Sequence, residues 1–449
     1  MRAAPSATGG AAIETQRRSR VRYSILAMLF LVTTLNYADR ATLSITGSAI
    51  QKELHINAVS LGYMFSAFAW SYVAAQIPGG WLLDRFRARI VYGFSIGLWS
   101  FFTLLQGSVG FFAGGTAVAV LFALRLAVGL AESPSFPGNS RIVATWFPTA
   151  ERGMASAVFN SAQYFATVLF APLMGWIAHD FGWHWVFYVM GAGGIALSFA
   201  WLKIVRDPRN HPRVNAAEFD HLERGGALID RTAPSADAQA ERTGTMRYLP
   251  QLLRNRMLLG IYIGQYCITT LTYFFLSWFP VYLVQERGMT ILKAGFMVSM
   301  PAIAGFLGGI LGGMWSDAMI RRGYSLTVAR KTPIIAGMLL STAMIACNYV
   351  DSPMLVIGIM ALAFFGKGIG ALGWAVVSDT SPKQIAGLSG GLFNTFGNAA
   401  GITTPIIIGY IVQGTGSFAG ALLFIGANAI GAILCYACVV GEIKRVELR

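Results

Sequence analysis

Twelve stretches of this sequence run for about 20 residues with few or no formal charges. They lie near 23–48, 59–83, 90–109, 117–143, 153–178, 184–205, 257–284, 292–316, 332–350, 354–379, 387–412 and 418–440. A helix needs roughly 20 apolar residues to cross the hydrocarbon core of a bilayer. Within lipid every backbone N–H and C=O must be satisfied inside the protein, which leaves only helices or closed barrels. The strict alternation of a barrel strand is absent, so the expected fold is an all-α membrane protein of twelve spans. Composition agrees. Only 12% of the residues are charged, half of the roughly 25% usual in soluble proteins. The 51 glycines suit helices that pack closely in lipid.

The net charge of +14 does not point to nucleic acid, because of where the charge lies. Arg17, Arg18, Arg20 and Arg22 precede span 1; Arg85, Arg87 and Arg89 lie between spans 2 and 3; Arg152 precedes span 5. The segment 206–256, Arg321, Arg322, Arg330, Lys331, Lys383, Lys444, Arg445 and Arg449 continue the series. If twelve spans alternate, all these loops fall on one side, and the opposite loops hold only Lys52, Arg287 and Lys293. Basic loops stay in the cytoplasm. Both termini are therefore expected there, in a multi-pass membrane protein. The Arg cluster before span 1 fits this better than a transit peptide, and no cleavable signal is expected. Cys267, Cys347, Cys435 and Cys438 all fall within spans and read as small apolar residues. The five His residues show no ligand spacing, so neither a metal nor another cofactor is expected.

The second half of the chain echoes the first. "WFPTAERGMASAVFN" (146–160) aligns with "TSPKQIAGLSGGLFN" (380–394) at an offset of 234 residues, which also pairs Gly175 with Gly409 and Gly182 with Gly416. An offset one residue shorter pairs Gly80 and Asp84 with Gly313 and Asp317. The organisation follows: a tail (1–22), a six-helix bundle (23–205), a polar linker (206–255), a second six-helix bundle (256–440) and a short tail (441–449). Repeated bundles of this kind are a transporter architecture, with the substrate site near the midplane between the halves.

"GGWLLDRFRAR" (79–89) and its weaker echo "GGMWSDAMIRR" (312–322) resemble the signature loop of the major facilitator superfamily, although Arg87 stands where a Gly is usual. Within it, "NYADRA" (36–41), "RLAVGLAESPSFPGNSR" (125–141), "ERGMASAVFNSAQY" (151–164), "TYFFLSWFPVYLVQERGM" (272–289) and "FFGKGIGALGWAVVSDTSP" (364–382) resemble the anion:cation symporter family, in particular members that import glucarate, galactarate or galactonate. The resemblance implies that Asp39 and Glu132 handle a proton and that Arg40 binds a substrate carboxylate. It also points to Tyr37, Tyr72, Arg125 and Gln163 in the first half and to Trp374 and Asn394 in the second. Ala371 and Gly373 stand where galactonate carriers have polar contacts.

The residues carry an argument of their own. A charge at the bilayer centre costs about 2.5–3.5 kcal/mol on insertion scales, so Asp39 and Arg40 must face protein or a watery cavity. Arg125 and Glu132, seven residues apart, lie two turns along one helix face. These four charges either neutralise one another as a structural cluster, or an incoming anion competes for the Arg. In the second case an acid that loses its counter-ion favours protonation, and proton and anion load together. Lys367, in span 10 of the opposite half, either snorkels to an interface or grips a second carboxylate, which favours an aldarate over galactonate. Gln163, Asn394 and Asn398 can hydrogen-bond a polyol chain or glue helices together; Trp374 could stack on that chain. Asp84, Arg85 and Asp317, at cytoplasmic span ends, are expected in gating. Pro134, Pro301 and Pro405 are expected to bend their spans.

The expected activity is import of a sugar acid anion by proton symport, by a monomer in the bilayer. Its nearest rival is the same fold carrying a hexuronate, a tartrate or an aromatic carboxylate. An embedded enzyme would need a nucleophile, metal or acid–base constellation, and the sequence has no His at mid-span and no H-E-x-x-H. A solute sensor would usually carry a signalling domain, and the tails are short.

Overall fold

The computed structural model describes residues 18–112, 114–229, 246–382 and 385–447; the side chain of Asp84 lies outside the described set. Among the described residues twelve helices are long and apolar enough to cross a membrane, and there is no strand. In the first half, span 1 is Val21–Glu53, span 2 Ala58–Arg85, span 3 Ala88–Gln106, span 4 Gly114–Glu132 plus Ser135–Trp146, span 5 Arg152–Asp180 and span 6 Trp183–Ile204. In the second, span 7 is Arg256–Ser277 plus Phe279–Gln285, span 8 Ile291–Arg321, span 9 Leu326–Ser341, span 10 Pro353–Ile369 plus Gly373–Thr380, span 11 Ala386–Thr415 and span 12 Ala419–Leu434. Starts follow local chemistry: the side chains of Asn57, Asn255, Thr290 and Ser325 accept the orphan N–H groups of spans 2, 7, 8 and 9.

Three windows that read as continuous are broken. Span 4 stops at Glu132 and restarts at Ser135, because Pro134 has no N–H to continue the ladder. Near the break, Ser95 of span 3 donates its hydroxyl to the Ala131 carbonyl, as a broken helix in lipid requires. Span 10 breaks over Gly370–Leu372, and span 7 at Trp278, two residues before Pro280. Pro301 and Pro405 lie inside continuous helices.

The two bundles do not meet evenly. Toward the end that carries the termini each bundle has its own apolar core, one drawn only from residues 21–222 and the other only from residues 252–443. At the opposite end a single core takes residues from both, including Phe65, Met174, Trp278 and Phe279. Polar contacts across the seam follow the same division. Ala58 N–H donates to Gln413 (3.2 Å), Gln285 to Gln51 (2.8 Å), and the Tyr63 and Tyr410 hydroxyls meet at 3.5 Å. Among the described residues, no hydrogen bond or ion pair joins the bundles closer to the termini than Asn394 to Gln76 (3.3 Å).

The sequence repeat has its physical reason at the closed end. Gly182 and Gly416 both take positive φ, 94° and 68°, where spans 5 and 11 end. Gly175 and Gly409 are crossing points. A Cβ on Gly175 would lie 3.1 Å from the Ile291 carbonyl and 3.2 Å from Gly295 Cα. One on Gly409 would lie 2.8 Å from the Ala58 carbonyl, and one on Gly295 2.7 Å from that of Ala171. Spans 5 and 8, and spans 2 and 11, thus approach backbone to backbone at related positions of the two halves.

Part of the polar linker is docked rather than free. Its helix Ala216–Arg224 buries Glu218, whose carboxylate accepts from Val21 N–H (2.8 Å), Arg22 N–H (3.2 Å), the Arg22 guanidinium (3.3 Å) and the Ser19 hydroxyl. An acid is thereby set at the positive N-terminus of span 1. Arg22 also reaches Glu151 (3.0 Å), which His221 meets at 3.1 Å. Burial alone would raise the Glu218 carboxyl, but the hydrogen bonds from Ser19, Val21 and Arg22 outweigh it and hold the group below its ordinary value.

Two outcomes follow from these contacts. Because Glu218 is depressed, its contribution to linker docking is complete above the ordinary value of 4.5 and fades only as pH falls below it. Hydrogen exchange in Ala216–Arg224 should therefore stay slow to that pH, and Glu218→Gln should speed it roughly tenfold at neutral pH, a charged hydrogen bond being worth about 1.5 kcal/mol. At the seam, Gly295→Leu should hold the bundles apart, so spin labels at Asp180 and Lys293 should move further apart than in the parent chain. An unchanged separation would contradict the backbone-contact account.

Candidate functional site

Asp39 and Arg40 are adjacent in sequence but about 100° apart around a helix, and they serve different partners. Arg40 leaves Asp39 and crosses to span 4, donating Nε to Glu132 Oε1 at 2.7 Å and a second N–H to the same oxygen. Its guanidinium carbon stands 5.0, 4.7 and 5.0 Å from the rings of Tyr37, Phe68 and Tyr72. Three aromatic faces and one carboxylate thus hold the cation, an arrangement in which cation–π attraction replaces part of the lost hydration. Glu132 is fully buried and is the last residue before the break in span 4.

Asp39 turns the other way. It is 1% exposed, and its Oδ2 accepts from the indole N–H of Trp99 at 3.1 Å. Its Oδ1, Glu132 Oε2 and Arg125 Nε are buried without a hydrogen-bond partner. Arg125 lies behind Phe68, its guanidinium carbon 5.8 Å from that ring. The two acids and two bases of the first half therefore contain one direct ion pair, Arg40–Glu132, and not two sequence-adjacent ones.

A second group forms across the bundles. Tyr37, Gln163 and Thr167 of the first half and Thr272, Phe364 and Lys367 of the second line one cavity. Lys367 is 8% exposed and its ammonium lies 5.2 Å from the Phe364 ring. Among the described residues it has no carboxylate within 4.0 Å, and that ring is its neighbour. It sits in the last turn of Pro353–Ile369, where the negative end of the helix dipole favours a cation. Tyr37 belongs to both groups, touching Arg40 on one side and the Lys367 cavity on the other.

A third group is an amide ladder. Tyr273 donates to Asn398 Oδ1 (3.2 Å), Asn398 to the Asn394 carbonyl (3.0 Å), and Asn394 to Gln76 of the opposite bundle (3.3 Å). Tyr273 also lies within electrostatic range of Arg40, which connects the ladder to the first group. Trp374 stands apart: it is 58% exposed and meets Phe393 edge-on at 4.9 Å. Arg85 is exposed and lies 5.5 Å from the Trp81 ring. Asp317 pairs with Arg330 (3.6 Å), which also holds Asp379 (2.9 Å), all within the second bundle.

Sequence reasoning passed over Trp99, Gln76, Tyr273 and Phe68. Each is a single polar or aromatic residue in an apolar window. Such residues occur in many spans as interhelical contacts, so none of them marks a site by itself.

The comparisons agree with this architecture. Residues 29–329 match the model of the Major Facilitator Superfamily. A probable galactarate/D-glucarate transporter of Bacillus subtilis (strain 168) is 65% identical, over 96% of this chain and 95% of that one. Another of that description from Escherichia coli (strain K12) is 58% identical over 99% of each chain. A D-galactonate transporter of Escherichia coli O6:H1 is 43% identical over 97% of this chain and 99% of its own. Among solved structures, a D-xylose-proton symporter superposes with TM-score 0.72 at 15% identity, over 94% of this chain and 98% of that one, a likeness of fold alone. With twelve spans in two repeated bundles and matches that run nearly end to end, this chain belongs to the major facilitator superfamily.

Proposed function

We propose that the protein imports an aldarate dianion, glucarate or galactarate, together with protons, by alternating access across a bacterial inner membrane. The observation that carries the reading is the pair of buried cations on opposite bundles. Arg40 is already matched by Glu132, whereas Lys367 has no acidic partner among the described residues and lines a cavity shared by both halves. A dicarboxylate can take one at each end and so bind the two bundles to each other. A monocarboxylate leaves Lys367 unmatched. The names of the relatives at 65% and 58% identity support the aldarate choice.

Proton coupling follows from charge balance. Arg40, Arg125 and Lys367 are three cations against the two carboxylates of Asp39 and Glu132. A dianion would leave this buried set with one negative charge in excess. In a medium that penalises net charge by several kcal/mol, one proton on a carboxyl restores neutrality. Glu132 is the acid whose partner the substrate takes. The amide ladder and Gln163 supply donors and acceptors for the hydroxyls between the two carboxylates. With the basic loops and both termini cytoplasmic, the apolar closure at the end away from the termini supports an inward-facing form. Asp84, Arg85 and Asp317 belong to the rim that must close in the opposite state. A monomer contains every group the cycle uses.

The test is uptake of radiolabelled glucarate and galactonate by proteoliposomes, with and without an imposed pH gradient. Glucarate should accumulate only with the gradient. Glu132→Gln should lose gradient-driven accumulation while still exchanging external for internal glucarate; undiminished uphill uptake would overturn the coupling role. Lys367→Ala should weaken glucarate binding by roughly 10–100-fold, the value of a charge-assisted hydrogen bond, and leave galactonate nearly unchanged. Equal loss for both acids would remove the two-point grip.

A further inference from the structure

Span 3 contributes no charge at mid-depth, yet it presents Tyr92, Ser95 and Trp99 on one face toward spans 1 and 4. Tyr92 donates to Asn139 at 2.8 Å, Ser95 to the Ala131 carbonyl beside the span 4 break, and Trp99 to Asp39 Oδ2 at 3.1 Å. Trp99 is completely buried and cannot touch a substrate in the cavity between the bundles. A Trp core contact needs no acid, and a buried carboxylate is a costly neighbour for an indole unless the N–H is used. The contact is therefore specific to the carboxyl group.

We infer that Trp99 is a positioning residue for proton coupling: its N–H fixes Asp39 by Oδ2 and leaves Oδ1 as the oxygen that gains and loses the proton. This rests on the reading of Asp39 as a coupling acid beside Glu132, the role that the resemblance implies for both. The two carboxyls then share one plan. Asp39 is held by Oδ2 and Glu132 by Oε1, while the other oxygen of each is buried and unpartnered. A carboxyl held at one oxygen keeps its orientation when the other changes protonation, so the site does not have to rebuild itself at each turnover.

The surroundings of Asp39 are few enough to make the inference testable. Span 4 presents Arg125 and Glu132 to it, and span 3 presents Trp99. Arg40, its neighbour in span 1, is turned to Glu132, and Tyr72 of span 2 faces Arg40. Spans 5 and 6 carry their charged side chains, Arg152, His179, Asp180, His184 and Lys203, at their ends. Of the groups acting on Asp39, only the indole forms a hydrogen bond with it. An N–H donor favours the ionised carboxylate over the neutral acid. Removing it should let Asp39 keep its proton to higher pH.

The experiment uses the full chain in proteoliposomes. Trp99→Phe should retain glucarate exchange and shift the pH of half-maximal gradient-driven uptake upward by about one unit, the equivalent of one hydrogen bond to a charged group. Tyr92→Phe loses a hydrogen bond of similar depth, but to Asn139, and should leave the profile in place. If Trp99→Phe does not accumulate, 3-benzothienylalanine at position 99 keeps the bicyclic ring without the N–H and should give the same shift. Infrared difference spectra across a pH jump provide a readout that needs no substrate: the protonated-carboxyl band lost in Asp39→Asn should titrate about one unit higher without the indole donor. A band that titrates normally with an unchanged uptake profile would overturn the inference, as would an equal shift in Tyr92→Phe. Absence of glucarate uptake by the parent chain, with the infrared shift intact, would instead remove the substrate reading and leave the Trp99 assignment standing.

Discussion

The pairing of Arg40 with Glu132 is the constraint around which the first bundle is arranged. A guanidinium at mid-membrane depth is tolerable only with its donors and its charge matched, and span 1 alone offers no match, since Asp39 points elsewhere. The partner comes from span 4, 92 residues away. Its carboxylate stands at the C-terminal end of a half-helix, where the dipole disfavours a negative charge. Glu132 is therefore more dependent on Arg40 than an acid in mid-helix would be. Under the proposed function this dependence is useful, because an anion that takes Arg40 leaves Glu132 facing both the dipole and burial unaided, and protonation is its one inexpensive response.

The two halves place opposite charges in corresponding positions. Glu132 ends the first segment of span 4 and Lys367 lies in the last turn of the first segment of span 10. At the shared offset the two differ in register by one residue. Both spans are broken just beyond, and the C-terminal end of a half-helix receives a cation without help but an anion only with a counter-ion. This accounts for the unequal contents of the bundles. The first needs Arg40, three aromatic rings and a hydrogen-bonding wall from span 3 to maintain its acids. The second needs only the ring of Phe364 beside Lys367.

What the sequence made legible, and what it concealed, divides along physical lines. Twelve spans could be counted because lipid imposes hydropathy on every one of them, and the 234-residue repeat could be read because Gly175 and Gly409 meet the same steric demand in each half. The breaks at Ser133–Pro134 and Gly370–Leu372 were harder, since an 18–20-residue average passes over two or three non-helical residues. The identity of Arg40's partner was hidden by adjacency. Neighbouring Asp and Arg invite a pair, but a helix turns them about 100° apart. Asp39, Arg40, Glu132 and Lys367 were recognisable as charges lipid forbids, whereas Trp99, Gln76 and Tyr273 were not, because a lone indole, amide or phenol does not reveal which face of its helix is wet.

Under the proposed function, the position of these groups along the bundle lets them serve two sides of a membrane. One apolar core joins the halves at one end, and two separate cores replace it at the other. Tyr37 packs against the shared core and also contacts Arg40, while among the described residues Asn394 and Gln76 mark the last polar contact before the halves part. The charged cluster thus lies at the level where joined packing gives way to separation. A ligand held there touches both bundles whichever end is closed. Under the proposed alternating access, rocking about that level would exchange apolar contact at one end for apolar contact at the other, opposing terms of the same kind. In such a balance a difference of one buried charge, worth several kcal/mol, is enough to decide whether the loaded bundles can turn.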